Sequence, residues 1–236
     1  MSQAFDKVWH EGLDIKLRSV LPKSYCDFLS SYMADRFFRI KLEDEYSDLN
    51  PIAAGIPQGS ILGPILYLIY TSDVPTSSNF FTATFADDTA LLATGKSVEE
   101  SSAVLQNAIN LVHEWTNKWR IKLNNLKSVH VDFTNKNLLH HQTLYIDNTA
   151  IPHANTAKYL GMTFDAKLRW KEHIKKKKEE LQLKLSQLYW LLGRTSKVSV
   201  YNKLLIYNHV LKPIWTYGIQ LWGCASKTNI QIIQRF

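Results

Sequence analysis

Two adjacent aspartates, Asp87 and Asp88, stand in the middle of FTATFADDTALLAT, residues 81–94. Neighbouring carboxylates repel each other and are costly to bury. On a regular strand adjacent side chains point to opposite faces, but at a tight turn joining two strands they can converge. Converged carboxylates become tolerable once a divalent cation neutralises them, and hard oxygen ligands at short spacing favour magnesium or manganese. Two such ions about 3.5–4 Å apart are a recurrent device for phosphoryl transfer. A plain polar turn would also use aspartate. The flanking Phe81, Ala83, Phe85, Ala90, Leu91 and Leu92 predict buried strands with the acids at their shared tip.

A second constellation is GIPQGSILGPILY, residues 55–67. It reads as a Gly/Pro-rich turn leading straight into an apolar helix. Gly55 and Gly59 permit backbone shapes and close approaches that a Cβ would block, and Gln58 supplies a neutral donor and acceptor beside them.

The remaining pattern supplies the elements that must hold these residues. Residues 7–20 carry Val8, Leu13, Leu17 and Val20 near helical spacing. Pro22 can open a second helix ending near Ala34. RFFRIKL and the segment up to Ala54 predict a strand pair around the acidic turn EDEYSDLN. Ser60 can cap a helix running to about Ser72, with Pro64 in its early turns. Residues 80–94 form the hairpin of the aspartates. Ser97 and Glu100 make a capping box ahead of a long amphipathic helix striped by Val98, Leu105, Ala108, Ile109, Val112, Trp115 and Trp119. Strands are expected from Ser128 to Phe164, with a turn at Asp147–Asn148. From about Trp170 helices are expected, broken at Gly193 and Pro213, the first striped by Ile174, Leu181, Leu185, Leu188 and Leu192.

Composition bounds the function. The 236 residues are 45% hydrophobic and rich in aromatics, enough for a folded core. Cys26 and Cys224 form neither a disulfide framework nor a zinc spacing, so a reducing compartment is the simpler reading. The apolar run ILGPILYLIY is about half of what a bilayer needs and is interrupted by Pro64, so no membrane association is expected. The net charge of +7 is uneven: residues 165–236 hold 14 of the 28 basic and 4 of the 21 acidic residues. Such asymmetry suits a polyanionic partner, although a solvated basic face would look the same. The change from mixed α/β to basic all-helix near residue 165 marks the expected domain boundary.

In their order, these motifs resemble a known family. GIPQGSILGP followed by FADD is similar to motifs B and C of reverse transcriptases. AFDKVWH, residues 4–10, resembles the second half of motif A, and WRIKLNNLKS, ending at Lys127 and Ser128, resembles motif D. KYLGMTFDAKLRWKEHI, PIWTYGIQLWGCAS and NIQIIQRF are similar to the downstream regions of jockey-like non-LTR (LINE-type) retrotransposons.

The resemblance implies an α+β fold: a right-hand polymerase palm, an antiparallel sheet with packed helices, over residues 1–165, then a basic all-helical thumb region over 166–236, with the fingers missing. It implies RNA-directed DNA polymerisation, in which a primer 3′-hydroxyl attacks a dNTP paired to an RNA template. Asp87 and Asp88 would hold Mg2+, with Mn2+ as an alternative. Phe5 would be the aromatic gate against a ribose 2′-hydroxyl, and Gln58 and Gly59 would line the nucleotide pocket. Lys127 would act near the triphosphate as a charge partner or proton donor. Lys167, Arg169, Lys171, Lys175, Lys176, Lys177, Lys178 and Lys184 would grip the template–primer backbone, though four consecutive lysines cannot all face one way on a helix. Tyr207, Trp215, Tyr217 and Trp222 could stack on bases but suit a core better.

One departure matters. Motif A normally carries a metal-binding aspartate four residues before its alanine, and counting back from Ala4 lands one residue before Met1. Asp6 is out of register and reads as a helix N-terminal residue. A truncated, poorly active copy is therefore expected. The rival readings are a catalytically dead nucleic-acid-binding remnant, a domesticated interaction protein, and an RNA-dependent RNA polymerase, against which Phe5 argues.

Overall fold

Residues 5–136 and 140–235 are described in the computed structural model. Ala4, at the head of AFDKVWH, lies outside them. Helix α1 spans His10–Val20 and α2 Lys23–Met33. The expected helix over 7–20 begins three residues late because Val8 and Trp9 are used otherwise: Trp9 bridges Ala54, and the Val8 carbonyl accepts from Gly55 N. Pro22 sits immediately before α2, where its missing N–H costs nothing.

Four two-residue strands follow: β1 (Phe37–Phe38), β2 (Lys41–Leu42), β3 (Glu45–Tyr46) and β4 (Asn50–Pro51). They nest, β2 on β3 inside β1 on β4, so the tight turn lies at Glu43–Asp44 rather than across the whole acidic stretch. Helix α3 spans Leu62–Tyr70, and Ser60 Oγ accepts from Gly63 N at 3.0 Å. The aspartate hairpin is β5 (Phe80–Phe85) against β6 (Asp88–Ala93), antiparallel, with Phe85 opposite Asp88.

Helix α4 spans Val98–Lys118. Its cap is a shifted version of the expected box. Ser97 Oγ accepts from Glu100 N, but Glu100 Oε2 accepts from Lys96 N rather than from Ser97 N. Strands β7 (Leu144–Ile146) and β8 (Thr149–Ile151) join through Asp147 and Asn148, both at positive φ, as the DN pair predicts. β9 (Thr156–Tyr159) pairs with β10 (Met162–Asp165). Between Ser128 and Thr143 the described residues hold one isolated bridge, His130 with His153, where a run of strands was expected.

The C-terminal helices are α5 (Lys171–Gln187), α6 (Tyr189–Leu192), α7 (Val200–Ile206), α8 (Lys212–Thr216), α9 (Ile219–Trp222) and α10 (Lys227–Gln234). Gly193 ends α6 as expected. Pro213 does not break the chain. A π-helical turn, Tyr207–Leu211, joins α7 to α8, and Pro213 falls in the first turn of α8, where a missing donor is best tolerated. The break comes at Gly218, at φ +66°.

Packing divides this mixed α+β chain into two units, residues 1–128 with 142–152, and residues 129–141 with 153–236. The division therefore falls earlier than the compositional change near 165, and β9 and β10 group with the basic helices. The first unit's main core joins α1, α2 and α3 through Val8, Leu13, Leu17, Leu29, Leu66 and Tyr70, closed by Trp115 and Trp119. Within it Lys16 is buried, 7% exposed. Its ammonium donates to the Tyr70 carbonyl and pairs with Asp73, and it lies 3.7 Å from the Trp119 ring centre. Burial holds the Lys16 ammonium below the usual lysine range despite the opposing pull of Asp73. Trp115 Nε1 donates to the same carboxylate at 2.8 Å.

Removing Asp73 strands a buried cation, whereas removing Lys16 leaves a carboxylate that is half exposed and can hydrate. Asp73→Ala should destabilise the first unit by about 2–4 kcal/mol, below the full buried-pair cost because Asp73 reaches solvent. Lys16→Met should cost less. Urea unfolding monitored by tryptophan fluorescence checks the order.

Candidate active site

The aspartates occupy a two-residue connection. β5 ends at Phe85 and β6 begins at Asp88, leaving Ala86 and Asp87 as the turn. Ala86 adopts φ +49°, a left-handed conformation that costs a non-glycine residue free energy and persists only when its surroundings impose it. The imposing group is Tyr67, on α3. Its hydroxyl donates to the Ala86 carbonyl at 2.8 Å, fixing the turn from below. Burial, with the nearby Asp87 charge adding to it, pushes the Tyr67 phenol up to about 12. Asp87 and Asp88 are both exposed.

The hairpin flanks are less buried than their composition predicts. The face of Phe80, Thr82 and Leu91 turns inward, where Phe80 is buried and Leu91 packs beside Ile109, Leu144 and Ile146. The opposite face carries Phe81 and Phe85, 64% and 63% exposed, together with Leu92 and Asp88. Strand alternation is the reason: one face meets α4, and among the described residues no third strand pairs with this hairpin.

The glycine turn is stitched to the first residues of the chain. Gly55 N donates to the Val8 carbonyl (2.8 Å), Ile56 N to the Phe5 carbonyl (2.9 Å), and His10 Nε2 contacts the Gly55 carbonyl at 2.7 Å. Gly55 lies at φ +91°, and a Cβ there would stand 2.8–2.9 Å from the Asp6 backbone. This close approach delivers Phe5 and Asp6 to the site. Phe5 stacks on Tyr67, centroids 4.4 Å apart. Asp6, in a 3-10 turn as its reading as a helix-start residue suggests, accepts from Gln58 Nε2 at 2.6 Å. Gln58 and Gly59 are exposed, and Gly59, at φ +82°, has open space around its α-carbon. A cleft of about 250 Å³ lies between α3 and the hairpin, lined by Phe5, Pro64, Tyr67, Thr84, Phe85 and Ala86.

Phe5, Gln58 and the aspartate turn therefore share one neighbourhood through Tyr67 and the glycine loop. Lys127 is exposed on a 3-10 turn, Asn125–Lys127, packed beside β8. The reverse transcriptase (RNA-dependent DNA polymerase) family matches residues 1–164.

The chain belongs to the reverse transcriptase family. It is 38% identical, over 98% of its length, to the probable RNA-directed DNA polymerase from transposon X-element of Drosophila melanogaster. It is 37% identical over 99% to that from transposon BS, and 34% identical over 99% to the RNA-directed DNA polymerase from mobile element jockey, both of the same organism. The aligned stretch is 26% of the X-element and jockey proteins and 27% of the BS protein, so the chain spans about a quarter of the length of these curated relatives.

The basic residues of this reverse transcriptase chain expected to grip a template–primer backbone, from Lys167 to Lys184, all lie in the second unit. Along α5, Lys171, Lys175 and Lys176 are exposed, and Lys178 and Lys184 half-buried. Lys176 Nζ reaches Thr163 Oγ1 at 3.4 Å. Lys177 turns onto the fold: it pairs with Glu180 at 2.9 Å and lies 5.9 Å from the Tyr217 ring centre. Asp165 organises the approach to α5, accepting from the backbone N–H of Lys167, Arg169 and Trp170. Of the candidate stacking aromatics, Trp222 is buried beside Trp170, while Tyr207 and Tyr217 are exposed. No helix among the described residues is long and apolar enough to cross a membrane.

Sequence reasoning missed Tyr67, which lies in the apolar run ILYLIY and looks like core there. Tyr67→Phe keeps the ring stack and should cost about 1 kcal/mol for the lost hydrogen bond. Because the folded phenol binds its proton more tightly than an unfolded tyrosine does, parent stability should fall between pH 10 and about 12. The variant's fall should be smaller, as urea titrations across that range will show. Gly55→Ala should cost about 2–4 kcal/mol, since both the positive φ and the Asp6 contact oppose a methyl group.

Proposed function

We propose that this chain is part of the polymerase core of a non-LTR retrotransposon reverse transcriptase, which adds deoxynucleotides to a primer 3′-hydroxyl opposite an RNA template. The observation that carries the reading is the aspartate turn itself. Two carboxylates stand at an exposed hairpin tip, braced from α3, beside the glycine loop and Phe5. In this reading residues 1–165 are palm and 166–236 the start of a thumb.

The donor set fits a hard divalent cation. Asp87 and Asp88 are adjacent, exposed and offer only oxygen. They would hold magnesium, or manganese, with Asp87 as the principal ligand. The metal, when bound, supplies acidity to the attacking hydroxyl and steadies charge on the departing pyrophosphate. The other roles belong to the chain. Phe5, pinned by its stack on Tyr67, sets a wall against a ribose 2′-hydroxyl. Gln58 directs its amide N–H to Asp6 and keeps its carbonyl oxygen for a base or sugar. Lys127 offers a proton or a charge to the phosphates. Lys171, Lys175 and Lys176 meet the template–primer backbone, giving affinity without sequence preference.

A two-metal centre uses a bridging carboxylate from a further strand. The exposed apolar face of the hairpin, Phe81, Phe85 and Leu92, suits a covering strand that would bring it. Without that carboxylate such a centre should extend a primer weakly or not at all, while RNA binding persists.

Primer extension with magnesium and dNTPs tests the reading. Adding the motif A segment of a relative should restore synthesis, and Asp87→Asn should return it to background. In the restored enzyme Phe5→Val should raise ribonucleotide incorporation. Failure of every restored form, with RNA binding intact, would favour the nucleic-acid-binding remnant. Independently, Lys175→Gln with Lys176→Gln should reduce the slope of log affinity against log salt by about 2, at roughly 0.9 per lost phosphate contact.

A further inference from the structure

In the second unit three imidazoles gather on one carboxylate, and the polymerase reading uses none of these four side chains. Asp132 Oδ2 lies 2.8 Å from His141 Nδ1 and 3.3 Å from His153 Nε2. Asp132 Oδ1 lies 3.2 Å from His130 Nε2. The His141 and His153 rings stack with centroids 3.6 Å apart, so their nitrogens are presented side by side. The ligand atoms of Asp132, His141 and His153 all fall within 4.8 Å of one another.

The backbone builds this arrangement. His130 bridges His153, and Ala154 N donates to the His130 carbonyl at 2.8 Å, bringing two imidazoles together from distant sequence. Thr134 N donates to the Ala166 carbonyl at 3.0 Å, anchoring the far side of Asp132. Asp132 is 12% exposed and His130 6%, whereas His141 and His153 open to solvent.

We propose that Asp132, His141 and His153 form a binding site for a zinc-class transition metal ion. Bond lengths of about 2.0–2.2 Å with tetrahedral angles require ligand atoms about 3.3–3.5 Å apart. His153 already stands at that spacing from Asp132 Oδ2, at 3.3 Å, and His141, at 2.8 Å, must draw back by about half an ångström. Two imidazoles with one carboxylate select a borderline ion over magnesium or calcium, which prefer all-oxygen shells. His130 does not ligate. Its Nε2–H holds the second oxygen of Asp132 and orients the carboxylate, the usual outer-shell role. The fourth position is left to water.

The site has a structural consequence. Residues 142–152, which carry β7 and β8, group with the first unit, and His141 and His153 bracket that excursion. A bound ion would clasp the two chain ends from which the hairpin departs, closing the loop as a cross-link does.

The test uses the whole chain, stripped with a chelator and kept in excess Mg2+ so that the hairpin carboxylates do not compete. Titration with Co2+ should give one tight equivalent, with the visible bands of a four-coordinate site, displaced by Zn2+. Zn2+ should also raise Tm. Asp132→Asn and His153→Gln should each weaken Co2+ binding more than tenfold and abolish the zinc-dependent rise in Tm. His130→Gln should weaken it about tenfold with the band shape retained. If a buried substitution prevents folding, His141→Gln, at the most exposed ligand, gives the same reading, and His140→Gln serves as the neighbouring control. No tight uptake by the parent, or uptake unchanged by Asp132→Asn, His153→Gln and His141→Gln, would overturn the proposal.

Discussion

The absence of a side chain at Gly55 is the constraint from which the candidate site follows. Only a residue without a Cβ lets the chain run across the Asp6 backbone at φ +91°. That crossing allows Gly55 and Ile56 to bond Val8 and Phe5, and it sets Phe5 on the Tyr67 ring. Tyr67 in turn holds Ala86 in a conformation it would not adopt alone. The turn that carries the exposed carboxylates at 87 and 88 is thus held by a relay of backbone bonds and one phenol in addition to the β5–β6 ladder.

Rigidity behind this relay comes from an unusual core. Tyr70, one helical turn beyond Tyr67, donates its hydroxyl to the Trp119 carbonyl, and its own carbonyl accepts from Lys16. The buried lysine also reaches Asp73, in the turn just past α3, so α1, α3 and the end of α4 share one polar junction inside an apolar cluster. Such a junction does little for raw stability when its desolvation cost is counted, but it admits one register of the helices. A site that depends on tenths of an ångström gains from that selectivity.

Local chemistry was legible in the residues themselves. The DN turn, Ser97 as a cap, Pro22 before α2 and the aspartate hairpin each rest on interactions within a few positions, which sequence pattern records directly. What depended on distant partners was not. Lys16 reads as a solvent-facing helical residue until Trp119 and Asp73 close over it. Phe81 and Phe85 read as buried because their alternation shows two apolar faces, while α4 covers only one. Pro213 reads as a break because the π turn that accommodates it has no local signature. The three histidines of 130, 141 and 153 follow no metal-ligand spacing, since a bridge between remote segments brings them together. Tyr67 carried the weakest signal of all, one hydroxyl in an apolar run.

Crystals soaked in Mn2+ and measured for anomalous scattering test the central claim most directly. The account predicts a manganese peak within bonding distance of the Asp87 carboxylate, lost in Asp87→Asn. Well-ordered density for the 85–88 turn with no manganese at it, under conditions that saturate the ion elsewhere, would contradict the account.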